Sequence, residues 1–283
     1  MPDEARPSDP PDVAGEGCGI VFATTGPAYT TLARRAARTL RQVMPDVAVD
    51  LFTDQPVEDE VFDRVHPVPG DWFRPKMAAL ARSRFRRTIY LDADVLVIAD
   101  ISDVFDVLER FEIVGTHGRY ANDSRVREHP DPHIPAAFPQ INGGVIGSDG
   151  SPRARGLATT WERRLRASGE PYDQPELRRL LWEGAATLHV LPPQYNFNSY
   201  HEIGGWDRRC AAPRVIHAPV LHRRPNGLPA HVPIHPLEVM SRAQLARLEA
   251  FAEADHSLAG RRALRLPEGR LRRLATRLRG RLA

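Results

Sequence analysis

One short segment, TIYLDADVLV at residues 88–97, constrains the fold more than any other part of the chain. Its first four residues favour a strand without polar alternation, which is typical of a strand buried on both faces in a mostly parallel sheet. Asp92 and Asp94 follow directly, and a second apolar run comes after them. Charged side chains are rarely buried without a partner. We therefore predict that residues 88–97 form a fully buried central strand, with two carboxylates, just after TIYL, that need a partner.

The neighbouring segments alternate between strand and helix patterns. GIVFAT, AYTTLARRAARTLRQVM and VAVDLFTD form a β-α-β unit of the expected length. RPKMAALARSRF predicts a short helix before the central strand, and DISDVFDVLER predicts one after it. Polar, proline-rich loops are expected at 118–140 and 222–236. The alternation predicts one α/β domain with a mostly parallel sheet.

Composition excludes several classes of protein. Hydrophobic residues make up 42% and charged residues 27%, as in a globular protein, and no apolar run is long enough for a membrane span. The first 17 residues, rich in proline and acids, predict a disordered leader without the features of a secretory signal. Cys18 and Cys210 are expected to be free thiols, as in a reducing cytoplasm.

Basic residues are concentrated at the carboxyl end. Residues 261–283 hold nine arginines and one glutamate, so the net charge of +3 divides into +8 there and 3 − 8 = −5 elsewhere. A mildly acidic body argues against nucleic acid as a partner. Of the 39 basic residues only Lys76 is a lysine, which singles it out as a compact point charge.

The last segment, residues 269–282, places four leucines on one helical face with arginines around them. This pattern is typical of a helix that lies on an anionic membrane surface. A solvated charged helix and a partner-binding helix remain alternatives.

Asp92 and Asp94 are expected to open into the ligand crevice, because ligands of open α/β sheets bind at the carboxyl ends of the strands. Side chains at i and i+2 of an extended strand point to the same side, where two carboxylates repel each other unless a cation neutralises them. Mg²⁺ and Mn²⁺ prefer oxygen ligands and often bridge carboxylates to phosphates. The pair therefore predicts a metal–diphosphate site.

Several segments, in order, resemble those of GT-A glycosyltransferases, in particular the retaining family-8-like enzymes. YLDADVLV with DISDVF resembles their D-x-D segment, and VFATTGPAY their first strand and nucleotide-binding turn. RPKMAALARSRFRRTIYLDAD resembles the basic helix before the D-x-D strand, and INGGVIG the strand that contacts the donor sugar. DQPELRRLL resembles the helix beside the reaction centre, and VIHAP the late histidine of the metal site.

The resemblance implies a single Rossmann-like GT-A domain at residues 18–240, followed by a helical extension at 241–283 with the basic tail. It also implies a transferase that moves sugar from a nucleotide-diphosphate sugar, with UDP-sugar as the first candidate, to a hydroxyl of a glycan, lipid-linked or small-molecule acceptor with retention. Mn²⁺ or Mg²⁺ would be the cofactor, and the location cytoplasmic or peripheral on the inner face of the cell membrane. The implied metal ligands are Asp92, Asp94 and His217; the donor-binding residues are Ala23, Thr24, Thr25, Tyr29, Lys76, Asp92, Ala93, Asn142, Gly143, Gly144 and Arg223; the catalytic candidates are Asp173 and Gln174.

Two departures from the family pattern affect the donor site. The family has acids where Thr24 and Thr25 stand, which weakens the case for UDP. HAPVLHRRP lacks the family's glycine after the late histidine, and Arg223 or Arg224 stands in place of its lysine.

Simpler structural roles stay open for most of these residues. Lys76 could be a helix-surface lysine, Tyr29 could pack in the core, and Asn142 with its two glycines could mark a bulge or a close backbone approach. His217 could be a buried structural histidine or join His222, His231 and His235 in a zinc site. The tryptophans at 72, 161 and 182 are predicted to pack.

Three other functions compete with sugar transfer. A D-x-D phosphohydrolase would use the first aspartate as nucleophile, but that motif normally stands on the first strand and has a downstream acidic partner. A nucleotidylyltransferase would need a glycine-rich basic loop after the first strand, which ATTGPAY lacks. A binding-only nucleotide-sugar module at a membrane surface would have less reason to keep Asp92, Asp94, Asn142, Gln174 and His217.

Overall fold

The computed structural model describes residues 17–72, 74–119, 131–198, 200–206, 209–223 and 228–264. The predicted leader up to residue 16 and the predicted tail helix at 269–282 lie outside these residues. The strands are β1 (Cys18–Thr24), β2 (Ala48–Thr53), β3 (Arg64–Pro67), β4 (Arg87–Leu91), β5 (Val95–Val97), β6 (Ile113–His117), β7 (Ile141–Ser148), β8 (Leu188–Leu191) and β9 (Val215–His217). The α-helices are α1 (Pro27–Val43), α2 (Lys76–Arg82), α3 (Asp103–Val107), α4 (Pro152–Ser168), α5 (Gln174–Trp182) and α6 (Arg242–Ala254).

Seven strands form the main sheet in the order β3-β2-β1-β4-β7-β6-β8. The pairs β1/β2, β1/β4, β2/β3 and β6/β8 are parallel, and β7 runs antiparallel to both of its neighbours. The prediction of an α/β fold with a mostly parallel sheet is confirmed. β4 is the fourth of the seven strands, so the strand before Asp92 is central, as predicted.

Each face of this sheet is covered by a hydrophobic core, which explains why the central strands are apolar without alternation. Ile20 and Phe22 of β1 belong to one core, while Val21 and Ala23 belong to the other. Helix α1 follows β1 with Pro27 at its first position, where the missing N–H has no helical partner to lose. Strand β2 then pairs parallel to β1, so the predicted β-α-β unit is confirmed.

The prediction that residues 88–97 form one strand is wrong in one respect. The chain leaves the main sheet after Leu91, and β5 pairs antiparallel with β9 in a separate two-stranded sheet. Backbone hydrogen bonds hold the turn on both sides: the Asp92 N–H donates to the Gly144 carbonyl (2.9 Å), and the Ala218 N–H donates to the Asp94 carbonyl (2.9 Å). The turn lets both carboxylates gather at one point instead of entering the sheet.

Helix α6 lies within the predicted helical extension and contributes Leu245, Leu248 and Phe251 to the core that also holds Ile20. Its first turn is closed by a capping box between Ser241 and Gln244. Among the described helices, none is both long enough and apolar enough to cross a membrane.

Candidate active site

The three predicted metal ligands lie together at the carboxyl end of β4. The pairing of β5 with β9 places Val95 opposite His217, so the His217 ring lies beside the aspartate turn. The His217 Nε2 atom is 3.3 Å from an Asp94 carboxylate oxygen and 4.0 Å from one of Asp92. One ligand atom from each residue lies within 4.8 Å of the others.

The Asp94 carboxylate shows that this cluster fits a cation. The residue is 1% exposed, and neither carboxylate oxygen has a hydrogen bond from the described residues. Nε2 atoms of His217 and His222 lie 3.3 and 3.2 Å away, near enough for charge attraction but not aligned as hydrogen-bond donors. Burial raises the pKa of Asp94, but the neighbouring His217 and His222 side chains together lower it by more, so the net pKa is lowered. A buried, ionised carboxylate with open lone pairs is a suitable ligand for Mn²⁺ or Mg²⁺.

His217 is buried and oriented by a side chain that the sequence analysis missed. Its Nδ1 atom lies 3.0 Å from Asn196 Oδ1, and Asn196 is itself 4% exposed. Burial lowers the pKa of His217, but Asp94 and Asp92 together raise it by more. The open alternative of a zinc site with His222, His231 and His235 is not supported, because the cluster found among the described residues consists of Asp92, Asp94 and His217.

Lys76 connects the metal cluster to the predicted catalytic residues. Its Nζ atom lies 3.0 Å from Asp173 Oδ2 and 3.4 Å from Asp92 Oδ1, and it donates a hydrogen bond to the Gly143 carbonyl (3.0 Å). The side chain is buried, which excludes the alternative of a helix-surface lysine. Burial lowers the pKa of Lys76, but the two carboxylates raise it by more, so the ammonium is charged.

Asp173 and Gln174 stand at the start of α5. Asp173 occupies the N-cap position, but its side chain reaches Lys76 and makes no capping hydrogen bond. Burial raises the pKa of this carboxyl, but Lys76 and the charge of Arg74 together lower it by more. Gln174 is half-buried and faces the backbone of Gly143. Trp161 packs as predicted, and its indole N–H donates to the Asp173 carbonyl (2.8 Å).

Close backbone approach explains the two glycines after Asn142. A Cβ atom on Gly143 would lie 2.7 Å from Lys76 Nζ, and one on Gly144 would overlap the His217 ring. This is one of the alternatives left open by the sequence. Contact of the same residues with a donor sugar stays a prediction.

The predicted nucleotide-binding residues line the end of β1. Ala23 and Thr24 are buried, and the Thr24 hydroxyl bonds to that of Thr30 (2.9 Å), so Thr24 has its hydroxyl committed inside the protein. Thr25 is half-buried. Tyr29 is 46% exposed and edge-on to the His222 ring at 5.1 Å, which argues against core packing.

Ala93 and Arg223 are two further residues that were predicted to bind the donor. Ala93 is buried in the aspartate turn. Arg223 ends a short 3₁₀-helix, Pro219–Arg223, after β9. The side chain of Arg223 and all of Arg224 lie outside what the structure describes.

Sequence reasoning missed two residues of the site, Tyr90 and Asn196, and considered His222 only as a member of a zinc site. The Tyr90 hydroxyl donates to Asp92 Oδ1 (2.5 Å), a contact that the i, i+2 spacing on β4 could have indicated. Asn196 carries no local signal, because the fold alone brings it to this site.

Comparison with known families identifies the chain. The family of nucleotide-diphospho-sugar transferases matches residues 72–228, more than half of the sequence. The chain belongs to this family. The matched segment of this nucleotide-diphospho-sugar transferase contains Lys76, both aspartates and His217. A comparison with curated protein sequences finds no match.

Solved glycosyltransferase structures share the fold of this nucleotide-diphospho-sugar transferase. The apo form of the glycosyltransferase GlyE from Streptococcus pneumoniae TIGR4 superposes with a TM-score of 0.54 at 14% identity, covering 87% of this chain and 64% of GlyE. Another GlyE structure gives 0.52 at 14% identity, with 88% and 66% covered, so the chain spans about two thirds of GlyE. An active-site mutant of LgtC gives 0.50 at 16% identity, with 88% of this chain and 98% of LgtC covered. At these identities the likeness shows the GT-A fold.

Proposed function

We propose that the protein transfers a sugar from a nucleotide-diphosphate sugar, with UDP-sugar as the first candidate, to a hydroxyl acceptor with retention. One observation carries the proposal: three groups that suit a divalent cation converge beside a buried lysine–aspartate pair at the carboxyl end of the central strand. A cation site next to a second fixed positive charge is suited to a diphosphate.

Asp92, Asp94 and His217 would hold Mn²⁺ or Mg²⁺. A bound ion would act there as a Lewis acid and would neutralise negative charge that develops on a departing nucleoside diphosphate. Tyr90 and Lys76 act on Asp92 from its other side, since the phenol donates to Oδ1 and the ammonium lies 3.4 Å from the same oxygen. Asp92 is thus held in place by contacts within the protein.

Lys76 places its charge between the metal cluster and Asp173. Because its pKa is raised, the ammonium stays protonated at neutral pH and can stabilise a diphosphate leaving group without accepting a proton. Arg223 is the second candidate for stabilising the leaving group, because it stands six residues after His217 in the sequence. Ala23, Thr24, Thr25 and Tyr29 would receive the nucleotide, and the backbone of Ala93 and of Asn142–Gly144 would border the sugar.

Retention requires either a protein nucleophile or attack from the face of the leaving group. The lowered pKa of Asp173 keeps its carboxylate ionised at neutral pH. Its ion pair with Lys76 holds the carboxylate in place. Its charge can stabilise an oxocarbenium-like transition state. Gln174, with an uncharged amide on the first turn of the same helix, is the second candidate.

The decisive experiment is a panel of nucleotide sugars tested for stabilisation and turnover with Mn²⁺ present. A true donor raises the melting temperature by mass action and is hydrolysed or transferred. Asp94→Asn should abolish turnover, and Asp106→Asn, which changes an exposed acid on α3, should leave it unchanged. A normal rate for Asp94→Asn would refute the site, and no shift with any donor would favour a different ligand.

The proposal also covers the cellular location of the enzyme. Both cysteines are free in the structure, which is compatible with the reducing cytoplasm. Residues 269–282 would bring the enzyme to the anionic inner face of the cell membrane, where a glycan, lipid-linked or small-molecule acceptor meets the site. Sedimentation with anionic vesicles, before and after removal of residues 265–283, tests this part; equal binding by both chains would overturn it.

A further inference from the structure

A chain of three hydrogen bonds runs from the backbone of β7 to the ring of His217. The Gly144 N–H donates to Asn142 Oδ1 (3.0 Å). The Asn196 amide nitrogen donates to the same oxygen (2.9 Å). The Asn196 Oδ1 atom then lies 3.0 Å from His217 Nδ1.

The direction of this chain is set by its first member. A backbone N–H can only donate, so Asn142 must present its oxygen to Gly144; a flipped amide would bring two donors together. Asn196 must therefore turn its NH₂ group toward Asn142 and its oxygen toward His217. That oxygen can only accept, so the His217 Nδ1 atom carries a proton. In the neutral ring, Nε2 then keeps the lone pair that faces Asp92 and Asp94.

We propose that Asn196 is a positioning residue that fixes His217 in the tautomer required to bind a divalent cation through Nε2. This inference rests on the metal site of the proposed function and adds a residue that the sequence did not indicate. Partners on the second nitrogen of a metal-binding histidine fix its orientation and raise its basicity.

Burial and backbone pairing make Asn196 rigid enough for this role. Asn196 is 4% exposed and His217 is 8% exposed, so water competes little for either side chain. The next residue, Phe197, pairs on both sides with the strand that carries His217: its N–H donates to the Val215 carbonyl (2.8 Å), and its carbonyl accepts from the His217 N–H (3.1 Å). Asn196 and His217 therefore keep a fixed relative position.

The first test measures Mn²⁺ affinity without any donor, by the loss of the free-ion signal in electron paramagnetic resonance. Asn196→Leu keeps the size of the side chain and removes the acceptor, and it should weaken Mn²⁺ binding by about 10- to 100-fold. Asn196→Asp keeps an acceptor for the Nδ1 proton and should bind Mn²⁺ more tightly than the leucine variant. A folded Asn196→Leu protein with wild-type affinity would overturn the inference.

Tyr195→Phe is the matched control. Tyr195 precedes Asn196, but its hydroxyl bonds to Asp103, away from the metal cluster. This variant should lose stability without losing Mn²⁺ affinity. An equal loss of affinity in both variants would mean that Asn196 acts only through general stability, which would also overturn the inference.

The second test needs no variant of Asn196. Nitrogen NMR of the ¹⁵N-histidine-labelled wild-type protein with Mg²⁺ should show His217 protonated at Nδ1 and unprotonated at Nε2, assigned by the signal lost in His217→Ala. The opposite tautomer would contradict the role of Asn196 and leave the proposed transferase standing. A wild-type protein that binds neither ion would overturn both the inference and the proposed metal site.

Discussion

Lys76 and Asp173 form a buried ion pair whose charged atoms are 3.0 Å apart, although the two residues are far apart in sequence. Removing one member of such a pair leaves the other charge buried and unpaired, which typically costs about 3–5 kcal/mol. The pair is therefore a structural element as well as part of the candidate site, and the two roles can be separated by experiment.

Lys76→Met should lower both stability and turnover, because Asp173 would remain as an unpaired buried carboxylate. The double variant Lys76→Met with Asp173→Asn should recover most of the stability and none of the turnover. Denaturant unfolding and the rate with the best donor, compared in a double-mutant cycle, measure the two effects. Recovery of turnover in the double variant would show that Lys76 is only structural.

Gly144→Ala should lose Mn²⁺ binding while the rest of the fold survives. Its new Cβ atom would overlap the His217 ring and displace that ring from Asp94. Gly156→Ala is the control, since it lies exposed on α4 with open space around it and should gain about 0.5–1 kcal/mol of stability. Unchanged Mn²⁺ affinity in Gly144→Ala would argue against His217 as a ligand.

Tyr29→Ala should weaken binding of the donor nucleotide, because its exposed ring in the first turn of α1, just after β1, is available to stack on a base. Loss of base–aromatic stacking is worth about 1–3 kcal/mol, and Tyr29→Phe should keep most of it. Trp182→Ala is the control, since this residue is 45% exposed, as against 46% for Tyr29, but lies at the far end of α5. Calorimetric titration with the nucleoside diphosphate gives the affinities. Equal affinities for Tyr29→Ala and wild type would remove Tyr29 from the site.

Stability should fall at acid pH as Asp59 takes up a proton. Burial raises the pKa of this carboxyl, but hydrogen bonds from Arg38, Arg34 and the Val61 N–H, together with the charge of Arg38, lower it by more, to about 2 from 3.8. The stabilisation is therefore complete above about pH 4 and is lost as the pH falls toward 2. Asp59→Asn should be less stable at pH 7 and show a flatter decline over this window, as urea unfolding at several pH values would reveal. An identical decline in both proteins would assign acid sensitivity to other carboxyls.

The fold was predictable because its signals are local. Apolar runs of strand length alternated with helical periodicity, and the aspartates stood where an apolar run ended. The break of residues 88–97 into two strands was not predictable, because it depends on the pairing of β5 with a strand about 120 residues later in the chain.

The residues of the candidate site also divide into those that the sequence could indicate and those that it could not. Asp92 and Asp94 follow from their place at a strand end, and Lys76 stands out as the chain's one lysine. His217 came from the resemblance, since VIHAP alone does not distinguish a ligand from a buried histidine. Asn196 was out of reach, because it lies beside His217 only after β9 and the turn before Phe197 have formed.

The two-stranded sheet of β5 and β9 brings together metal ligands that are far apart in the sequence. Asp94 precedes one strand and His217 ends the other, so an ion held by both would staple a loop of about 120 residues. Much of the body of the protein lies inside that loop. A bound ion would then act as a reversible cross-link, and its loss would lower the stability of the strands that position the candidate site as well as remove the charge that the ion contributes.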